Sequence, residues 1–369
     1  MQQLLGILLL VLLETYSYAQ ASSNWSPANI TLEENSRLCA TEQRPSNVLR
    51  AMFWNVENLF NPKNDSLKND EDFTPEGKNG WSWFRYNEKI KNIYKIYMAV
   101  GGFDAPDFIG MCEVECREAI DDLLSRTPLA GLGYQVAHFE SPDRRGIDVG
   151  FLYKAEKFRL IKSDTLRIHF PFDTATLTRD VLIVSGVTND SQRDTLHFFV
   201  NHWPSRLGGQ EASEPKRIYV ALRIKKKIEQ LRATMGGKII LMGDFNDGPT
   251  DASMQEALGA RIDYKKTLAS PSLINLMGAW LPNHHLGSHK YQGHWGILDQ
   301  FIVSDNLLNE QQKGYKVKAQ QARIFSADFM LQDDVRFFGK ETKRTFEGPV
   351  YKGGFSDHLP IFIDLVPSL

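Results

Sequence analysis

A mixed α/β sandwich is the fold the sequence predicts, and three observations predict it. Strand-like apolar runs outnumber helical ones. They come both as hairpin-like pairs and as units separated by helices, which argues against a purely parallel, doubly wound sheet. No linker, internal repeat or low-complexity stretch divides the chain, so its 369 residues read as one large domain behind an N-terminal leader.

The elements follow in order. Met1-Gln2-Gln3 precedes an apolar run from Leu4 to Leu13, and the small residues Ser17 and Ala19 come after it. A short apolar core ahead of small residues reads as a secretory signal cleaved after Ala19. The run is too short to span a bilayer. The expected location is secreted or periplasmic. Residues 20–46 are polar and read as an irregular leader, with the domain proper at 47–369. Residues 48–54 open it as a strand, and 61–80 form a long polar loop. A helix follows, with Ile90, Ile93, Tyr94, Tyr97 and Met98 on one face. Residues 107–111, 134–139, 147–153, 181–187 and 196–200 have the apolar, β-branched or aromatic content of strands. A second helix is predicted to start at Ser213-Glu214-Pro215, a capping residue with Pro in the first turn. Its Lys225-Lys226-Lys227 run reads as a solvated face. Residues 238–242, 297–303 and 359–365 complete the strands.

Composition narrows the function. The chain is 42% hydrophobic and 24% charged, the balance of a folded globular protein. A formal charge of -2 excludes a constitutive nucleic-acid scaffold, which needs a strongly basic face. Loss of residues 1–19 removes Glu14 and brings the charge from -2 to -1. The chain is expected to work as a monomer. Cys39, Cys112 and Cys116 allow one disulfide in an oxidising compartment, and they carry no zinc spacing.

The chemistry lies where strands end. Six apolar runs stop on polar groups: Asn55 and Glu57; Glu113 and Glu115; His202; Asp244 and Asn246; Asp299; Asp357 and His358. A carboxylate at the end of a buried strand is costly unless it is solvated or bound to a cation. Oxygen ligands of this kind suit Mg²⁺, with Mn²⁺ as a substitute. Glu113 is the leading metal ligand, and Asn55 can orient a metal-bound water or a phosphate oxygen. Period-two alternation places Glu57 with Asn55, and Glu115 is the less favoured partner for the ion. Asp244 and Asn246, two apart on an extended chain, would face one way and hold a water between them, with Gly243 permitting close approach of a ligand. Asp299 is the candidate carboxylate partner of His358, with Asp357 directed at the metal. His202 is a second imidazole on another strand end. Two histidines flanking a phosphate allow one to activate water and the other to protonate the leaving oxygen or bind phosphate. Arg145 and Arg206 are candidate phosphate clamps. His284, His285, His289 and His294 fit no ligand spacing and read as a flexible loop.

Taken together, these motifs resemble the endonuclease/exonuclease/phosphatase superfamily of metal-dependent phosphoesterases over about residues 48–366. The order is right: Asn, Glu, His, Asp-x-Asn, Asp, then Asp-His. Asp72-Phe73-Thr74-Pro75-Glu76-Gly77 and Asn201-His202-Trp203-Pro204-Ser205-Arg206 look like a secreted bacterial branch. The resemblance implies a four-layered α/β sandwich, with two central mixed β-sheets flanked by helices. It implies Mg²⁺ held at Glu113 with Asn55 and Asp357 nearby. Asp244 and Asn246 would position nucleophile and phosphate, and Asp299 with His358 would form the acid–base pair. His202 matches the extra histidine of the deoxyribonuclease and sphingomyelinase branches. The expected activity is Mg²⁺-dependent hydrolysis of phosphodiester bonds in nucleic acid, endonucleolytic or exonucleolytic. The alternatives are a phosphomonoesterase, a sphingomyelinase- or inositol-phosphatase-like hydrolase, and a non-catalytic binding protein of the same fold.

Overall fold

The apolar runs fold into strands in the order the sequence orders them. In this computed structural model residues 27–41, 44–102, 104–262, 272–318 and 321–368 are described. The expected signal at 1–19 and residues 20–26 of the leader lie outside them. The strands are β1 (Leu49–Leu59), β2 (Phe108–Val114), β3 (Tyr134–His138), β4 (Asp148–Lys154), β5 (Phe158–Leu166), β6 (Val181–Thr188) and β7 (Thr195–His202). There follow β8 (Lys238–Asp244), β9 (Ala260–Arg261), β10 (Leu273–Asn275), β11 (His289–Tyr291), β12 (His294–Gly296), β13 (Asp299–Ser304), β14 (Tyr315–Val317) and β15 (Arg323–Ile324). The last are β16 (Leu331–Asp333), β17 (Lys340–Thr342), β18 (Phe346–Glu347), β19 (Val350–Tyr351) and β20 (Ile361–Pro367). The helices are α1 (Leu32–Thr41), α2 (Trp83–Gly101), α3 (Arg117–Ser125) and α4 (Gln210–Thr234).

Two seven-stranded sheets form the centre. One runs β14-β20-β1-β2-β4-β3 with β15 also on β20, and the other β5-β6-β7-β8-β13-β10-β9. Both are mixed: β1–β2 and β7–β8 pair in parallel, while β1–β20 and β8–β13 are antiparallel. The main core lies between the sheets, where Phe53, Phe108, Phe151, Phe198, Met242 and Phe301 are buried. Gly110 lets the sheets close, because a Cβ there would meet Met242 Sδ at 2.4 Å. α2 covers the first sheet with Ile90, Ile93, Ile96, Tyr97 and Val100. α4 covers the second with Val220, Ala221, Ile224 and Ile228. The four-layered α/β sandwich expected of the sequence is the observed architecture.

Several local expectations are corrected. Part of the leader is not irregular: α1 is opened by a capping box, with Glu34 N donating to Thr31 Oγ1 (3.2 Å) and Thr31 N to Glu34 Oε2 (2.9 Å). Asn35 Nδ2 then ties α1 to Ile324 O at 2.8 Å. Helix α4 begins three residues before Ser213, so Pro215 lies inside it. The helix runs through Pro215, which cannot donate to Glu211 O, while Ser213 Oγ donates to Gly209 O (2.7 Å) and Arg217 Nη2 to Gln210 O (3.0 Å) in the first turn. The edge strand β5 escaped notice because its polar residues Arg159, Lys162, Ser163, Asp164 and Thr165 break the apolar run. Cys39, Cys112 and Cys116 are all free thiols. Among the described residues no helix is long and apolar enough to cross a membrane.

Candidate active site

Strand direction brings the polar termini together. β1 and β2 run in parallel and deliver Asn55 and Glu113 to one end of the first sheet. In the second sheet, His202 of β7 pairs with Asp244 of β8, and Asp244 with Asp299 of β13. β20 is antiparallel to β1, so Asp357 and His358 enter at the same end.

The two rims interlock through named contacts. Asn55 Nδ2 donates to Asp244 Oδ2 at 3.1 Å and to Glu113 Oε1 at 3.3 Å. His358 Nδ1 lies 2.7 Å from Asp299 Oδ2, and its Nε2 is 3.8 Å from Asp244 Oδ2. His202 Nε2 is 3.9 Å from Glu113 Oε1 and 3.8 Å from Asp244 Oδ2. Buried serines hold these groups in place. Ser288 Oγ accepts from Leu298 N and Asp299 N, at 3.1 and 3.0 Å, while Ser288 O accepts from Leu359 N at 2.7 Å. Ser356 Oγ donates to Asn55 O at 2.7 Å and accepts from His358 N at 3.0 Å. The backbones of β1, β13 and β20 are thereby fixed relative to one another around the imidazole.

Left-handed backbone is concentrated here. Glu57, Asn58, Glu113 and Asn246 have φ of 53°, 59°, 62° and 54°. For a glutamate such a conformation costs about 1–2 kcal/mol, and such strain gathers at functional sites. It overturns two expectations, and the packing around Gly243 overturns a third. Glu57 does not share the face of Asn55: a bulge between Asn55 and Leu59 swings it toward Thr345 N (2.6 Å) and Arg344 Nε (3.2 Å). Asn246 does not sit beside Asp244 on an extended chain. Its backbone turns so that Asn246 N donates to Asp244 Oδ1 (3.0 Å) and Nδ2 to Trp203 O (3.0 Å). Gly243 is small for the neighbouring strand rather than for a ligand, since a Cβ would meet Asn201 O at 2.5 Å.

The expected metal set is partly regrouped. Asn55 and Glu113 are in contact, whereas Asp357 is held by Arg344 Nη2 at 2.9 Å. Among the described residues, ligand atoms lying within 4.8 Å of one another at this end belong to His289, Asp357 and His358 and to Asp244, Asp299 and His358. Arg145 is exposed, and its Nη2 donates to Asn58 Oδ1 at 3.0 Å. Arg206, expected to clamp phosphate, instead clamps its own loops: Nε donates to Asn246 O (2.7 Å), Nη1 to Gln210 Oε1 (2.9 Å) and Nη2 to Asp251 Oδ2 (2.9 Å).

Sequence reasoning missed three neighbours. His289, expected on a flexible loop, bridges the backbone of His358 and places its ring 4.6 Å from that imidazole. Arg179 donates to Trp203 O (2.6 Å) and Asp143 Oδ2 (3.0 Å). Lys89 is buried in α2 and donates to Thr345 Oγ1 and Phe355 O, both at 2.6 Å. A lysine amid the apolar face of a predicted helix was the available signal for the last. Nothing in the spacing marked the other two.

Burial sets the charge pattern. It pushes the His202 imidazole well below the ordinary histidine range, and Arg179 and Arg145 add to that, so His202 is neutral. Burial also opposes the His358 cation, but Asp299 and Asp244 outweigh it and hold that imidazole well above its usual value. Asp244 is raised by burial, against the pull of His358. Glu57 is pushed up to about 7 by burial and by Asp357. The site therefore pairs a neutral imidazole with an imidazolium across a cluster of carboxylates. His202 Nδ1 and Asp299 Oδ1 are buried without a hydrogen-bond partner in the protein.

Two sheets whose rims converge on carboxylates, an amide and paired histidines define a hydrolase of phosphoester bonds. The chain belongs to the Endonuclease/Exonuclease/phosphatase family, whose sequence profile matches residues 50–366. Solved structures share the fold at low identity. The mannosyl-6-phosphatase of Bacteroides thetaiotaomicron is 16% identical, with a TM-score of 0.52 over 86% of this chain and 99% of its own. D. rerio TDP2 complexed with single strand DNA product is 14% identical, with a TM-score of 0.52 over 87% of this chain and 99% of its own. The human Nocturnin catalytic domain with bound sulfate is 17% identical, with a TM-score of 0.50 over 87% of this chain and 95% of its own. No curated protein matches the chain significantly.

Proposed function

We propose that this protein hydrolyses phosphodiester bonds in nucleic acid with the help of a divalent cation, Mg²⁺ or in its place Mn²⁺. The observation that carries the proposal is the 2.7 Å pair of His358 Nδ1 and Asp299 Oδ2 beside Asp244 and Glu113.

The donor set fits a hard cation. Glu113, Asp244 and Asp357 offer carboxylate oxygens; Asn55 turns its Nδ2 toward Glu113 and Asp244 while its Oδ1, the atom able to ligate, accepts from Glu57 N at 3.0 Å, and Cys112 lies in the apolar core. Glu113, with Asn55 and Asp357 beside it, would hold the ion, which when bound supplies Lewis acidity toward a phosphoryl oxygen and acidifies water. The chain's own groups do the rest. Asp299 accepts from His358 Nδ1 and so directs Nε2 into the site. His358, protonated, is placed to stabilise charge on the phosphoryl group and to give up its proton to the leaving oxygen. Asp244 takes hydrogen bonds from Asn246 N and Asn55 Nδ2, which fixes its carboxylate for orienting a water in line with phosphorus. His202, neutral, contributes a dipole or a lone pair without adding charge.

Nucleic acid is supported by the rim. Arg144 and Arg145 are exposed on the loop between β3 and β4, and Tyr291, Phe337 and Phe338 are exposed next to the hairpin that carries His289. Cations track a phosphate backbone, and aromatic faces stack bases. We also propose export, on the strength of the apolar run at residues 4–13 and Ala19; fractionation should find the protein outside the cytoplasm and shortened near Ala19.

A panel of single- and double-stranded DNA, RNA, a phospholipid, inositol phosphates and a chromogenic diester, each with Mg²⁺ and with chelator, tests the function. DNA or RNA should be cut and chelator should abolish cutting. Turnover of a lipid or sugar phosphate without cutting of either nucleic acid would reassign the substrate. Glu113→Gln should fold normally and lose at least about a hundredfold in turnover, the scale of several kcal/mol of Lewis-acid assistance. Full activity of that variant would refute the assignment of Glu113.

A further inference from the structure

A separate group of metal-ligating side chains lies on the helix-covered face of the first sheet. His138 closes β3, Asp148 opens β4, and Glu140 follows His138 by two residues. Gly150 pairs with His138 and shares the face of Asp148, and a Cβ on it would meet Ile120 Cδ1 of α3 at 2.9 Å. That face is turned away from Glu113 and the second sheet.

The side chains of His138 and Asp148 are 2% and 1% exposed. His138 Nε2 and Asp148 Oδ2 are 3.8 Å apart, beyond hydrogen-bond distance, and neither atom has a partner in the protein. The other oxygen of Asp148 accepts from Ser141 N at 2.9 Å, which fixes the carboxylate in this direction. The ligand atoms of His138, Glu140 and Asp148 all lie within 4.8 Å of one another. Two buried polar atoms aimed at one point are costly if both stay unpaired. A cation between them, with bonds of about 2 Å, satisfies both.

We propose that His138, Glu140 and Asp148 form a second metal site, taking Zn²⁺ or a similar transition-metal dication. An imidazole nitrogen with two carboxylates favours such ions over Mg²⁺ or Ca²⁺, which prefer oxygen alone. Its role is structural. His138 and Asp148 flank the loop 139–147 and Glu140 lies within it; the loop carries Asp143, paired with Arg179, and Arg145, bonded to Asn58. An ion at the base of this loop ties its two stems together and steadies the arginine it presents to the active site. Lys68 Nζ, 3.8 Å from Glu140 Oε2, is the ion pair that metal binding must displace.

Chelator-stripped full-length protein is titrated with ZnCl₂ alone, and affinity and stoichiometry are read by calorimetry and by metal analysis. Wild type should bind one Zn²⁺ equivalent more than Asp148→Asn and Glu140→Gln, which lose that equivalent or bind it at least tenfold more weakly. Glu140 is exposed, so its variant keeps the comparison valid should Asp148→Asn misfold. A crystal soaked in ZnCl₂ should give anomalous density within about 2 Å of His138 Nε2. Equal affinity and stoichiometry in wild type and Glu140→Gln, or no anomalous density among the three side chains, overturns the proposal. Neither readout involves catalysis, so the outcome is independent of the proposed hydrolytic activity.

Discussion

His358 and Asp299 form a unit at the residue scale, and their coupling can be measured. Asp299 is fully buried and fixes the imidazole tautomer, so its loss leaves His358 present but free to turn. Asp299→Asn should lose most of the activity that His358→Ala loses. The double variant should be little worse than His358→Ala alone, because groups acting together are non-additive. Multiplicative losses would show that the two residues act separately. This pair was legible in the sequence because an imidazole at a strand end requires an acidic partner, and β13 supplied one. Glu57 and Asn246 were placed wrongly for a single reason: alternation assumes extended backbone, and both residues take left-handed φ. His289 was illegible because β11 and β12 are three residues each, too short for a period to emerge.

At the scale of elements, α4 and β7 show how the scaffold fixes the site from behind. Arg217 of α4 is fully buried, with Nε 2.7 Å from Asp247 Oδ2, one residue beyond Asn246. Arg217→Met would leave the buried Asp247 anion with only Arg206 Nη2, 3.4 Å from its Oδ1, as counter-charge. It should cost about 3–5 kcal/mol in urea unfolding, the usual penalty for removing one partner of a buried pair. A cost below about 1 kcal/mol, the range of an exposed pair, would mean the pair does not anchor this loop. β7 carries two histidines with different duties. His197, unlike His202, is fully satisfied, with Nδ1 2.7 Å from Ser185 Oγ and Nε2 2.8 Å from Gly236 O. Burial lowers its pKa. A depressed histidine pKa favours the neutral form in the fold. That stability is present above about pH 6.5 and lost as pH falls through the folded value. The decline in Tm between pH 7 and pH 5 should therefore be smaller in His197→Gln than in wild type. An unchanged decline would remove His197 from the acid response. Sequence periodicity found α2 and the long strands other than β5. It misplaced the start of α4, because Pro215 reads as a first-turn residue while the helix already begins at Gln210.

On the scale of the whole molecule, the fold was legible because two features agree: apolar runs of strand length, and a polar terminus on each. Their order then dictated which sheet edges converge. Illegible from sequence were the contacts across the two sheets, such as Asn55 to Asp244, because they join residues 189 positions apart. The charge distribution carries the last prediction. A formal charge of -2 leaves no global basic face, and the exposed Arg144 and Arg145 are local. Each phosphate neutralised by the protein adds about 0.9 to the slope of log affinity against log salt. A grip of two or three phosphates therefore predicts a slope of about -2 to -3, against about -10 for a strongly basic repressor. Binding of a duplex oligonucleotide to Asp299→Asn, titrated with KCl at fixed Mg²⁺, measures it. Arg145→Ala should flatten the slope by close to one phosphate, because its guanidinium sits at the mouth of the site, 3.0 Å from Asn58. A slope near -10, or one that Arg145→Ala leaves unchanged, would require an extended phosphate-binding surface that neither the sequence nor the rim provides.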